Sequence, residues 1–370
     1  MLPLAQALRD RGNDVLFVSA EDARAPIEAA GLTMAPAGWA LARRMPETLA
    51  HLPELASMPG HERPLVMFRV LFGEVSARPM FDDLLPLATE WRPDVILHDP
   101  AELAAPIVAA ALDVPSAVHS WGRAIPGTIL AGADVFTEPL WARVGLEPRP
   151  LGGAYDTLYV DLCPPSMRLA IDVDYLRRDQ PLRPQSVAGD DTLLPPAIAD
   201  LLERDRPLVY VTFGTVMNVN PTFAKVVDAL AGRDDLDAVI TVGHDGDVTA
   251  FGALPGHVHV ERYVAQGPLL PHCSAVVSHA GSGTVLGGLA VGVPHLLLPQ
   301  GADQFRNTEA CVAAGAGIAL AGDDVTPEAI GAALTQLLSD GSYRDAAGRV
   351  QAEIAAMPDA DQVAAVVESL

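Results

Sequence analysis

At 370 residues the chain is longer than the roughly 250 to 300 residues at which single hydrophobic cores stop growing, so two domains are expected. Half of the residues are hydrophobic and 19% are charged, a composition that excludes disorder. Acidic residues outnumber basic ones 47 to 24, and the formal charge of -23 disfavours nucleic acid and anionic lipid as partners. No run supplies the roughly 20 uninterrupted apolar residues of a membrane helix.

The first residues lack the basic leader, apolar block and cleavage site of a signal peptide, so a cytoplasmic protein is expected. Leu2, Leu4, Ala5 and Leu8 keep helical spacing, and Arg11-Gly12 ends that helix just before an apolar strand at 15–18. A helix near 21–30 follows. Between Met34 and Leu87 the periodicity weakens, with Trp39, Phe68 and Phe72 scattered among Pro and Gly, which suggests excursion loops and helices. Alternation resumes with a strand at 94–98, a helix at 102–112 and a strand at 116–119. Charge and proline concentrate in 177–207, as in a linker. Beyond it, strands at 208–212, 238–242, 257–260, 275–278 and 295–298 alternate with helices near 221–231, 284–291, 303–313 and 327–338.

This pattern predicts an α/β protein with two tandem doubly wound parallel sheets and a cleft between them at the carboxyl ends of the strands. The expected divisions are a domain at 1–187, a linker at 188–206, a second domain at 207–345, and closing helices at 346–370 that pack back toward the first domain. Cys163, Cys273 and Cys311 form no CxxC pair and read as buried free thiols. Two Asp-x-Asp triplets, Asp172-Val-Asp174 and Asp245-Gly-Asp247, are chemically able to carry a divalent ion but lie in linker and loop contexts, where solvated acids are expected. Neither metal nor cofactor is expected.

The sharpest signal is Val276-Val-Ser-His279-Ala-Gly281-Ser282-Gly283-Thr284, a buried strand running into a Gly-rich turn that opens a helix. Such a turn aims backbone N–H groups and a helix N-terminus at an anion. No Lys follows the glycines, so it is not a Walker A loop, and the spacing misses GxGxxG. Spacing alone leaves a ligand-free turn and a phosphate cradle both open. Twenty-four residues after His279 comes Asp303-Gln304, a carboxylate beside a carboxamide, able to grip neighbouring sugar hydroxyls; the alternative for Asp303 is a helix N-cap. Tyr263, after another strand, is placed to stack on a flat base.

In these motifs the chain resembles the family 1 glycosyltransferases of GT-B fold, and among them the bacterial enzymes that glycosylate macrolides and other natural products. The resemblance runs from Leu2-Pro-Leu-Ala to the last helix and is most specific in Thr212-Phe-Gly214-Thr215, Tyr263-Val-Ala-Gln266, His279 to Thr284 and Pro299-Gln-Gly-Ala-Asp303-Gln304. It implies that His279 and the amides of Gly281, Ser282, Gly283 and Thr284 hold a diphosphate, assisted by Thr215. It further implies that Asp303 and Gln304 hold the donor sugar, and that Tyr263 with the backbone of Val264 holds the base. The first domain would bind the acceptor. Ser278 stands where the bacterial relatives usually have a second histidine.

In the family a strand and a Gly-His turn precede the helix that begins Pro-Leu-Ala, and that histidine is the general base. Ahead of Met1 the strand and base are expected to be missing, with Asp99 as the orienter of the missing histidine. His119 is the outside candidate for the base, expected at the mouth of its strand, while His98 is expected to face the other way. The expected reaction moves a sugar from a UDP- or dTDP-sugar to a hydroxyl of an apolar small molecule, with inversion. Trp39, Phe68, Phe72 and Trp121 are the candidates for the acceptor pocket. A nucleotide-sugar epimerase and a catalytically impaired nucleotide-sugar-binding accessory protein are the alternatives.

Overall fold

A computed structural model of the chain describes residues 1–58, 62–168, 176, 178–185, 194–214, 221–243 and 246–370. The backbone falls into two compact units: 1–163 with 169–183 and 357–370, and 164–168 with 184–356.

Among the described residues the first unit holds six strands in two parallel sheets. β1 (Leu16–Ser19) pairs with β2 (Thr33–Pro36), while β3 (Ile96–His98), β4 (Ser116–His119), β5 (Leu158–Asp161) and β6 (Asp179–Pro181) pair in chain order. Helix α1 (Leu2–Asp10) precedes β1, and α2 (Ala105–Leu112) connects β3 to β4. Every residue of β4 and β5 is buried, as expected of parallel strands covered on both faces. The stretch from Met34 to Leu87 is more helical than its weak periodicity suggested. It contains Leu41–His51, Arg63–Phe68, a π-helical segment at Arg69–Ser76 and Ala77–Trp91. Pro46 and Pro86 lie inside two of these helices, and the π segment shifts the repeat away from 3.6, so an α-helical template fails there.

The second unit is built on one six-stranded sheet: β7 (Leu208–Thr212), β8 (Asp237–Thr241), β9 (Val258–Glu261), β10 (Ala275–Ser278), β11 (His295–Leu297) and β12 (Gly317–Ala319). All neighbours are parallel, in the order β12-β11-β10-β7-β8-β9. Helix α3 (Pro221–Ala231) joins β7 to β8, α4 (Ser282–Leu289) joins β10 to β11, and α5 (Gln304–Ala313) joins β11 to β12. Val209, Val211, Ile240, Val277 and Leu296 are fully enclosed, and each such side chain contributes about 1.5 to 3 kcal/mol by leaving water.

The strand order positions the site. The chain starts at β7, works outward to β9, then re-enters at β10 on the other side of β7, so the connections after β7 and β10 leave in opposite directions and open a crevice at their carboxyl ends. Ser278 lies opposite Thr212, so Phe213-Gly214 and His279-Ala280 emerge side by side.

The chain ends in α6 (Ala360–Val367), whose start is closed by a reciprocal cap between Asp359 and Gln362. In the first unit Val363 and Ala364 of α6 share a buried cluster with Leu4 of α1 and with Leu158 and Val160 of β5.

Candidate functional site

At the reversal of strand order the ring of His279 lies against two glycines. A Cβ on Gly214 would come within 3.0 Å of its Cε1, and one on Gly281 within 2.7 Å of its Nε2. Gly214 has φ +74, which side-chain-bearing residues avoid. Burial holds the imidazole below its ordinary value, opposed by the Thr212 carbonyl and then by the Asp303 charge. Its Nδ1 is buried without a well-formed hydrogen bond among the described residues. Burial thus favours the neutral ring, which stands beside the turn with its Nε2 edge toward Gly281.

Beyond His279 the backbone passes through Ala280 at φ +67, and α4 starts with Gly281 as N-cap and no capping side chain. The first N–H groups of a helix lack intrahelical partners, so an uncapped start is a ready anion site. Thr284, expected among the amide donors, instead returns its N–H to the Gly281 carbonyl at 3.1 Å. This leaves Gly281, Ser282 and Gly283 as the remaining amides of the turn.

Asp303 occupies the N-cap position of α5 but makes no side-chain capping bond. Its Oδ2 accepts instead from Ser282 Oγ at 2.8 Å and from Asn307 Nδ2 at 2.9 Å, which excludes the helix-cap role and turns the carboxylate toward the start of α4. The preceding residue, Ala302, has φ +51. Thus both loops that reach the site contain an alanine in the left-handed region, at about 1 to 2 kcal/mol each, a form of strain that clusters at functional sites. Gln304 departs from expectation. It is 4% exposed, and its Oε1 accepts from the N–H groups of Gln300 and Gly301, so the carbonyl end of its amide fixes its own loop.

Tyr263 is 49% exposed just beyond β9, and the adjacent Val264 is buried. Thr215 lies outside the described residues, as do Asp172, Asp174 and Asp245 of the Asp-x-Asp triplets. Among the described residues no cluster of three His, Cys, Asp or Glu could hold a metal ion. The contact that residue spacing did not reveal is that of Asn307; its position four residues after Asp303, on one face of α5, is the signal that could have found it.

In the first unit Asp99 ends β3, with Ala101 N–H donating to its Oδ1 at 2.8 Å. Burial pushes its carboxyl up, while Arg44 and the Met1 amine lie near enough to oppose that shift. Asp99 is thus placed beside the start of α1. His119, expected at the mouth of β4, is 3% exposed; its Nδ1 donates to the Ser120 carbonyl, and burial pushes it down to about 3. An enclosed ring of such low basicity is poorly suited to be the base. His98 is equally enclosed, donates to the Asp99 carbonyl and is pushed down to about 4. Phe68, Phe72 and Trp121 form a tilted aromatic series with centroids 5.0 and 6.1 Å apart, and the outermost, Trp121, is 39% exposed. Trp39 is covered by the Arg43 guanidinium at 3.5 Å.

Comparison with known proteins places this geometry. Residues 6–176 and 224–370 match the N-terminal and C-terminal domain models of the erythromycin biosynthesis protein CIII-like family. The chain is 32% identical to the elloramycin glycosyltransferase ElmGT of Streptomyces olivaceus, over 98% of this chain and 92% of that protein. It belongs to the family 1 glycosyltransferases of natural-product biosynthesis. The same family includes the L-demethylnoviosyl transferase of Streptomyces niveus, 30% identical over 97% of this chain and 91% of that protein. The GT-B fold of these glycosyltransferases is shared by VinC, solved with dTDP, at a TM-score of 0.82 and 25% identity over 100% of this chain and 95% of that one. The spinosyn rhamnosyltransferase SpnG, solved with spinosyn aglycone, superposes with a TM-score of 0.81 at 26% identity over the same shares.

Proposed function

We propose that this glycosyltransferase takes its sugar from a dTDP- or UDP-sugar held along the carboxyl edge of β7 and β10, and passes it with inversion to a hydroxyl of an apolar small molecule. The observation that carries the reading is the neutral His279 ring set beside the uncapped start of α4 at the reversal of strand order. His279 and the amides of Gly281, Ser282 and Gly283 hold the diphosphate, Asp303 meets the sugar, and Tyr263 with the Val264 backbone meets the base. VinC and SpnG, each solved with thymidine diphosphate, support this choice of donor.

As the acceptor oxygen attacks the anomeric carbon, the bond to the diphosphate breaks and its growing charge falls on donors already in place. The acceptor proton must pass to a base as the oxygen attacks, and Asp99, beside the start of α1, is the acid placed to orient one. The Phe72 and Trp121 faces offer apolar contact to the acceptor. No metal takes part, because the helix N-terminus and His279 supply the charge complement. The test is to incubate the protein with dTDP-glucose or UDP-glucose and a panel of aromatic and macrolide aglycones, with and without EDTA, and to determine the anomeric configuration of any product by NMR. Inverted product that survives EDTA is expected. Retained configuration, or transfer abolished by EDTA, would overturn the reading.

A further inference from the structure

We infer that Asn307 is a positioning residue that ties the diphosphate-binding turn to the sugar-binding carboxylate, so that the two halves of the donor site are held as one body. The inference rests on the donor-site reading above. Asn307 is 3% exposed, and its Nδ2 lies 3.0 Å from the Ala280 carbonyl, 3.0 Å from Ser282 Oγ and 2.9 Å from Asp303 Oδ2. Ser282 Oγ in turn donates to Asp303 Oδ2 at 2.8 Å, which closes a ring of three polar groups drawn from the start of α4 and from α5.

The chemistry of the amide fits this position. Its two hydrogens are shared among three acceptors, and it brings no charge of its own beside the Asp303 carboxyl group. Ala280 is the residue in the left-handed region directly after His279. A donor on its carbonyl fixes the backbone that aims both the imidazole and the amides of the turn. The second acceptor, Asp303, has given up helix capping, and hydrogen bonds to its charge replace the cap as its restraint. Removing Asn307 therefore frees the Ala280 carbonyl and the carboxylate together, whereas removing Asp303 loses the sugar contact and the acceptor of the Ser282 hydroxyl but leaves the Asn307 bond to the Ala280 carbonyl in place.

Affinities for dTDP and dTDP-glucose, measured by calorimetry on the full chain, test this with Asn307→Ala, Asn307→Asp, Asp303→Ala and His279→Ala. Asn307→Ala is expected to weaken dTDP about 10-fold and dTDP-glucose by on the order of 10 to 100-fold, the range for losing hydrogen bonds to a charged group. Asp303→Ala is expected to weaken dTDP-glucose far more than dTDP, because the Asn307 bond to the Ala280 carbonyl still holds the turn. In Asn307→Asp two carboxyls would face each other, so dTDP-glucose binding should weaken at pH 8 and recover in part at pH 5.5, where a shared proton restores the donor. A residue that only packed the core would lower the melting temperature and leave this pH response absent. Wild-type affinities in Asn307→Ala below its melting temperature, or a pH-independent Asn307→Asp, would overturn the inference; if Asn307→Ala does not fold, Asn307→Asp alone decides. Unchanged dTDP binding in His279→Ala would instead sink the donor-site reading, which keeps the two failures apart.

Discussion

Two glycines decide where His279 can stand, and they should respond differently to the same added methyl. Gly281 has an ordinary extended backbone, φ -62 and ψ 138, so Gly281→Ala strains only the imidazole 2.7 Å away. Gly214→Ala meets the same ring at 3.0 Å but also forces alanine into φ +74, at about 1 to 2 kcal/mol. Both variants should weaken dTDP about 10-fold or more, as expected when a hydrogen bond to a charged group is misaligned. Thermal melts should separate them, because Gly214→Ala adds backbone strain to the contact with the ring that both variants make; a loss in Gly214→Ala no larger than in Gly281→Ala would mean that the left-handed backbone there costs nothing. The neutral His279 makes a second prediction. A diphosphate beside it favours the charged imidazole, so dTDP binding near pH 7 should take up a proton. The calorimetric heat would then vary with the ionisation enthalpy of the buffer in the wild type and not in His279→Ala.

At the level of elements, α1 and α6 hold each other by packing far more than by charge. Leu4 is fully buried against Val363 and Ala364, whereas Arg11 meets Glu368 at 2.8 Å and Asp361 at 3.1 Å from a partly exposed position. Leu4→Ala should cost about 2 to 5 kcal/mol in denaturant titrations, and Arg11→Ala far less, because its ion pairs are screened by solvent. Comparable costs would show that the ion pairs carry the junction. Much of this element structure was legible in the sequence. The strands β7, β8, β10 and β11 are short apolar runs between turn residues, and the start of α4 was marked by its glycines. β6, which ends in a proline, and the π-helical Arg69–Ser76 were not legible, because neither repeats with a period of 2 or 3.6. At the site, His279 and Asp303 were readable from residue type and place. The bonds of Gln304 Oε1 to its own loop and of Thr284 to Gly281 were not, since both depend on backbone groups that spacing does not encode.

Across the whole molecule, buried titratable groups set how stability responds to pH. His98 and His295 are pushed down to about 4 and His119 to about 3 by burial, from the ordinary 6.5. The folded chain thus binds fewer protons than the unfolded one in that window, and stability present above pH 6.5 is lost as pH falls from there toward 4. Glu102 acts in the opposite sense. Burial, and then the Asp99 charge, push its carboxyl from 4.5 up to about 8, so its favourable contribution is complete below 4.5 and disappears as pH rises through 8. Glu102→Gln should therefore melt higher than the wild type at pH 9 and with it at pH 4.5; a wild-type melt at pH 9 would show that Glu102 is ionised without cost.

The central claim is that the carboxyl ends of β7 and β10 hold the donor diphosphate. Hydrogen exchange read by mass spectrometry, with and without dTDP and with EDTA present throughout, tests it on the unmodified chain. Slowed exchange is expected in peptides covering 279–286, where the His279 turn enters α4, and in those covering 212–214. Unchanged exchange in both segments at saturating dTDP, with protection appearing elsewhere, would contradict it.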